Sequence, residues 1–366
     1  MSTSETREES THLKVGDWVE VRSKDEILQT LDSAGQLDGM PFMPEMLAFC
    51  GRRFQVYKSA HKTCDTIFPV RGRRVARAVH LDTRCDGSAH GGCQAGCMIF
   101  WKEAWLKPVA GDSRAASLVS VQSLSAGAGS QFASGVTEAQ LSSLTQLPVA
   151  AGSPTTYVCQ ATRLPYASSD LEWWELKQYL EDYRSGNVSL WQIFCGATYF
   201  AFLWLTRAGI GVGRPLRWFY DHFHFLWRGF PFPRREGPIP DGKPTPVETL
   251  NLQAGELVRI KPYSEILKTL NTQNRNRGLF FDAEEVPYCD NGPYRVLRRV
   301  DRIINERTGE MRDMKTPCIV LDSVICKSRY SECRLFCPRS IFAYWREIWL
   351  ERIEPASSSA EGPTSR

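Results

Sequence analysis

Eight cysteines fall into two sets of four: Cys50, Cys85, Cys93 and Cys97, then Cys289, Cys326, Cys333 and Cys337. Thiolates in fours bind zinc or an iron–sulfur cluster. Seven residues separate Cys85 from Cys93 and six separate Cys326 from Cys333, yet a Cys-x-x-x-Cys run follows in both. A loop that changes length while keeping its thiols points to the thiols as the groups the loop must present. Where such a run opens a helix, its two cysteines share a face with Cβ atoms roughly 5–6 Å apart, whereas a disulfide needs about 3.8 Å. The expectation is a four-thiolate metal site in each set, with zinc ahead of an iron–sulfur cluster. The spacing matches neither signature well, and buried thiols without a metal are the third reading.

Other candidates are confined to the N-terminal part. His61-Lys-Thr-Cys64 would let an imidazole activate a thiol if the two side chains meet. His90, just before Gly91-Gly92-Cys93, reads as a substitute ligand or as a group that orients one. Packing or surface roles compete with both readings, because one imidazole near one thiol is no triad. Cys64, Cys159, Cys195 and Cys318 lie outside the fourfold pattern and read as packed thiols, with Cys159 placed to complete a site. No phosphate-binding loop, dinucleotide fingerprint, nucleophile elbow or His-Glu-x-x-His occurs, so enzyme status is open.

The elements that must position these residues are written twice. Gly16-Asp-Trp-Val-Glu-Val-Arg returns as Gly255-Glu-Leu-Val-Arg-Ile-Lys, and the register holds without a gap to Cys50 and Cys289. Each copy opens on an alternating strand. Helices are expected at Asp25–Leu31 and Ser264–Leu270, strands at Phe54–Tyr57 and Tyr294–Leu297, and a hairpin at Asn305–Gly309. A closing helix is expected to carry Trp101 and Trp105, or Trp345 and Trp349. The second copy has no histidine, while His61, His80 and His90 lie in the first, which places any specific chemistry there.

The chain of 366 residues is 42% apolar and 23% charged, which excludes a wholly disordered protein. Its net charge of +4 does not favour nucleic acid. The patch Arg71, Arg73, Arg74 and Arg77 reads as a solvated hairpin. The first ten residues show no secretory pattern, so the expected setting is cytoplasmic and its thiols reduced. Residues 1–12 are expected to be disordered, 13–109 to form the first module and 110–156 a disordered Ser/Ala/Gly linker. Residues 157–251 form a helical, aromatic middle segment ending in a Pro-rich strap; 252–354 form the second module and 355–366 a disordered tail.

The apolar run 188–206 is long enough for a bilayer. One crossing would put the matched thiol units in different redox compartments. A helix packed between the modules is therefore preferred, then one at a membrane interface, with peripheral contact through 188–227.

The opening Gly-x-x-Val strand resembles the first strand of SH3-like barrels, including those of ribosomal and transcription proteins. The whole chain also resembles a group of bacterial proteins with this duplicated layout, a resemblance that carries no activity with it. The expected fold is α+β: two homologous modules with small SH3-like barrels, each closed by a Cys-rich loop and a Trp-bearing helix, joined by the helical aromatic segment. The expected function is a metal-stabilised, non-catalytic binding or scaffold protein with a protein or peptide partner. The alternative is a redox or metalloenzyme component using a zinc or iron–sulfur thiolate site.

Overall fold

A computed structural model describes residues 12–68, 71–109, 136–147, 152–209, 211–227, 230–331 and 333–353. Five antiparallel strands form the first sheet: β1 (Trp18–Val21), β2 (Arg53–Ser59), β3 (Ala78–Arg84), β4 (Met98–Lys102) and β5 (Leu106–Pro108), in the order β4-β3-β2-β1-β5. A second sheet repeats that order as β9-β8-β7-β6-β10. Its strands are β6 (Leu257–Ile260), β7 (Tyr294–Ile304), β8 (Met311–Ile325), β9 (Phe342–Trp345) and β10 (Leu350–Arg352). Helices and strands together make the protein α+β, with a half-barrel sheet.

The chain divides into two units. Unit 1 is 1–203 with 302–312 and 327–341; unit 2 is 204–301 with 313–326 and 342–366. The tip of the β7–β8 hairpin and the loop carrying Cys333 and Cys337 thus group with the first copy's sheet. The hairpin expected at Asn305–Gly309 forms, with Gly309 N–H donating to Asn305 O at 2.8 Å.

Each unit has a core built around a phenylalanine and two tryptophans. In unit 1 the Phe42 ring meets Trp101 at 6.3 Å and Trp105 at 5.2 Å, both edge-on. In unit 2 Phe281 meets Trp345 at 6.1 Å and Trp349 at 5.3 Å, again edge-on. All four indoles are fully buried, and edge-to-face packing suits the ring quadrupoles. A buried indole N–H needs an acceptor. Trp105 donates to Thr30 Oγ1 (3.1 Å) and Trp349 to Thr269 Oγ1 (2.8 Å), the same position in the two copies.

The tryptophans do not lie on a closing helix. Trp101 is on β4 and Trp345 on β9; Trp105 and Trp349 end short 3-10 turns, Glu103–Trp105 and Glu347–Trp349. Their four-residue spacing mimics a helical face. Met98–Lys102 is instead buried at every position, as in a strand covered on both faces. No helix starts at Cys93 either. Gly91, Gly92 and Gly96 all take positive φ, which ends regular structure there.

The short helices after the opening strands are α1 (Lys24–Leu28) and its counterpart Tyr263–Lys268. Ser23 and Glu26 form a capping box on α1. Within the stretch expected to be a linker, Glu138–Ser143 forms a helix, α2. Thr137 and Gln140 cap it reciprocally, and Leu141 enters the first core. Residues 110–135 and 148–151 of that stretch, residues 1–11 and the tail from 354 lie outside the described residues.

In the middle segment, Ser168–Leu171 pairs with Gly72–Val75, which pairs with Lys62–Cys64, as a three-stranded sheet of unit 1. The arginine patch differs from the expected solvated hairpin. Arg73 is 8% exposed and meets Asp65 and Asp170, and Arg74 meets Glu181. Leu190–Arg207 and Gly213–Phe223 are helical. No helix among the described residues is long and apolar enough to cross a membrane.

Replacing Thr30 or Thr269 by Val leaves a buried indole N–H without its acceptor. Each change should cost about 1–3 kcal/mol. Urea unfolding followed by tryptophan fluorescence checks this; an unchanged midpoint for both variants contradicts the shared role.

Candidate metal centre

Glu45, Cys85 and His90 converge in unit 1. Glu45 sits on the 3-10 turn Pro44–Phe49, which Pro44 opens. Cys85 follows the last residue of β3, just past a register shift between His80 and Arg84. Such bulges bend a strand and re-aim the residues beyond them. His90 lies in the turn after Gly87 (φ 74°), where a Cβ would come 2.0 Å from Cys93 O, so only glycine fits.

His90 Nδ1 is 2.6 Å from Glu45 Oε1, and Nε2 is 3.0 Å from Val158 O. Glu45 Oε1 also accepts from the Ala89 N–H (3.1 Å) and the Cys85 thiol (3.8 Å). The two side chains are nearly sealed, 1% exposed for His90 and 2% for Glu45. Glu45 Oε2 is buried with no hydrogen-bond partner among the described residues. A carboxylate oxygen left dry in a protein interior is costly unless a cation or donor meets it.

The three ligand atoms lie within 4.8 Å of one another, and the group could hold a metal ion. His90 turns Nδ1 towards Glu45 and Cys85 and Nε2 towards the Val158 carbonyl. Metal-binding histidines are held in this way, one nitrogen on the ion and the other on a fixed acceptor. Val158 is fixed in turn: its N–H donates to Thr145 O (2.8 Å). Two residues on, buried Gln160 bonds the Pro41 and Phe100 carbonyls (3.1 and 2.9 Å). Burial, then the Glu45 charge, pushes the Cys85 thiol far above its ordinary value, so a metal must displace its proton. A small cleft is lined by His90 with Pro41, Phe42, Met43, Leu141, Leu144 and Val158.

Of the eight expected ligands, only Cys85 belongs to this group. Among the described residues it is the one cluster of three or more Cys, His, Asp or Glu side chains close enough to share an ion. Cys50 packs against the first core and Cys289 against the second. Cys93 Sγ accepts from the Ile304 N–H (3.4 Å). Burial raises the Cys97 thiol to about 12 and the Cys159 thiol to about 11, keeping both protonated. The second set is divided, with Cys289 and Cys326 in unit 2 and Cys333 and Cys337 in unit 1.

His61 does not meet Cys64. Its Nδ1 is 3.4 Å from Ser59 Oγ and its Nε2 is 3.2 Å from Asp182 Oδ1, whose other oxygen takes Lys62 at 2.5 Å. His80 is wholly buried, bonds Ile99 O (2.9 Å) and lies tilted against Phe100 (4.5 Å, 54°); burial lowers it to about 4, so its ring is neutral.

Glu45 escaped the cysteine pattern, although the ungapped register sets Glu284 at its place in the second copy. Comparison with known proteins finds no matching family model, no similar curated protein and no similar solved structure.

Zinc and protons compete for Cys85 Sγ and His90 Nδ1. Zinc affinity, measured by chelator competition, should tighten at least about tenfold between about pH 6 and about pH 8. Cys85→Ser should weaken binding and flatten that slope. An affinity independent of pH contradicts the ligand set.

Proposed function

We propose that this chain is a metal-stabilised, non-catalytic binding or scaffold protein built by tandem duplication, with one divalent ion held by Glu45, Cys85 and His90. The observation that carries this reading is the sealed Glu45 carboxylate, which has one oxygen on His90 and the other without a hydrogen-bond partner among the described residues. A mixed nitrogen, sulfur and oxygen set suits a borderline ion, and zinc fits best. Tyr330 takes the place of His90 in the second copy, so that copy supplies fold rather than a second site. The equal strand order of the two sheets supports two SH3-like modules. Such modules offer a groove to a protein or peptide, and the proposed setting is a reducing cytoplasm.

A second reading is favoured by the ligand count. Three protein ligands leave a coordination position open, as in catalytic zinc sites, and His90 lines an apolar cleft. On that reading the first copy is a metalloenzyme component. Peripheral membrane contact is supported separately by exposed Trp218 and Phe219 (58% and 48%) on a helix that also carries Arg214 and Arg217.

Metal analysis of protein purified without oxygen tests the shared core of these readings. About one zinc per chain is expected, lost in Glu45→Ala and kept in Glu284→Ala. Iron with charge-transfer absorbance would favour the redox alternative. No metal at meaningful occupancy in the folded wild type would sink the proposal.

A further inference from the structure

Cys64 ends the strand Lys62–Cys64, and Cys337 lies on the 327–341 loop of the same unit. The Cys64 backbone N–H donates to Cys337 Sγ at 3.0 Å. Both residues are buried, 6% and 7% exposed. Lys62 Nζ fixes the approach by donating to Leu335 O (2.7 Å), two residues before Cys337. Two residues after it, Arg339 is 2% exposed, and its guanidinium bonds Glu306 Oε1 (2.9 Å) and Thr66 Oγ1 (3.3 Å).

We propose that Cys64 and Cys337 are a reversible thiol–disulfide site that a hydroperoxide closes. The 3.0 Å contact sets Cys337 Sγ against the Cys64 backbone, the proximity that a disulfide requires. The site also provides the electropositive setting that makes a thiol reactive. The hydrogen bond from Cys337, then Arg339 and Arg334, outweigh burial and the Glu306 charge and lower the Cys64 thiol to about 6. Burial has the opposite result at Cys85, Cys97, Cys159 and Cys318, whose thiols are all raised. Cys64 is two residues from exposed Thr66.

The chemistry balances in two steps. The Cys64 thiolate attacks the outer peroxide oxygen; an S–O bond forms, the O–O bond breaks, and the alkoxide leaves as an alcohol after taking a proton. Cys64 is then a sulfenic acid. Cys337 sulfur attacks it; the S–S bond forms, the S–O bond breaks, and hydroxide leaves with the Cys337 proton as water. Two thiols are oxidised, one hydroperoxide is reduced, and a dithiol reductant reverses the reaction. The proposal is independent of the metal reading, since neither thiol belongs to the Glu45 group.

The full chain, reduced and desalted, is treated with hydrogen peroxide, blocked with N-ethylmaleimide and mapped as peptides without reduction. The expected product joins Cys64 to Cys337 and disappears with dithiothreitol. In Cys337→Ser, dimedone should label Cys64 as a trapped sulfenic acid. In Cys64→Ser, peroxide-dependent thiol loss should slow at least about tenfold. Should Cys64→Ser fail to fold, Cys64→Ala, checked by circular dichroism, and the wild-type peptide map still decide. A wild type that gives no Cys64–Cys337 peptide overturns the proposal, whether other cysteines oxidise or none do. So does unchanged peroxide consumption in folded variants.

Discussion

The edge-on packing of one phenylalanine against two tryptophans is the contact on which each half of this protein depends. Phe42 with Trp101 and Trp105, and Phe281 with Trp345 and Trp349, fill the space between the half-barrel sheet and the turn after its first helix. The phenylalanine sits a few residues before the turn that carries Glu45 or Glu284. The first tryptophan sits on the strand that follows the thiol loop. The packing therefore joins the two pieces of chain that must meet for a site to exist. Thr30 and Thr269 complete it by accepting the second indole N–H.

On that shared frame the copies diverge. In the first, the turn from Gly87 brings His90 under Glu45, and the Cys85 thiol faces the same carboxylate oxygen. Sealing the Glu45 side chain against His90 gains little once desolvation is counted. Glu45 Oε2, without a hydrogen-bond partner among the described residues, makes the contact poorer still as a purely structural device. A cation shared by oxygen, nitrogen and sulfur resolves both difficulties. In the second copy Tyr330 stands at the place of His90.

Much of the architecture was legible in the residues. The duplicated opening strands and the hairpin at Asn305–Gly309 follow from register and from turn residues. The tryptophan segments mislead because four-residue spacing serves a helix and also a strand followed by a tight turn. α2 is hidden in a Ser/Ala/Gly-rich stretch whose Thr137–Gln140 cap is a short signal. The two sets of four cysteines are a poor guide because thiol spacing does not reveal burial. Cys97 is half-buried and held protonated, Cys50 and Cys289 pack against apolar cores, and Cys64 has Cys337 rather than His61 beside it. Glu45, matched in register by Glu284, is visible but belongs to a residue type too common to stand out.

The central claim is that one ion is bound by oxygen, nitrogen and sulfur from Glu45, His90 and Cys85. X-ray absorption of the zinc-loaded full chain tests it directly, because sulfur lies about 2.3 Å from zinc and nitrogen or oxygen about 2.0–2.1 Å. The account predicts a first shell with one sulfur and the remainder nitrogen and oxygen, including an imidazole pattern that disappears in His90→Ala. A shell of four sulfurs, or a spectrum unchanged by that substitution, would contradict it.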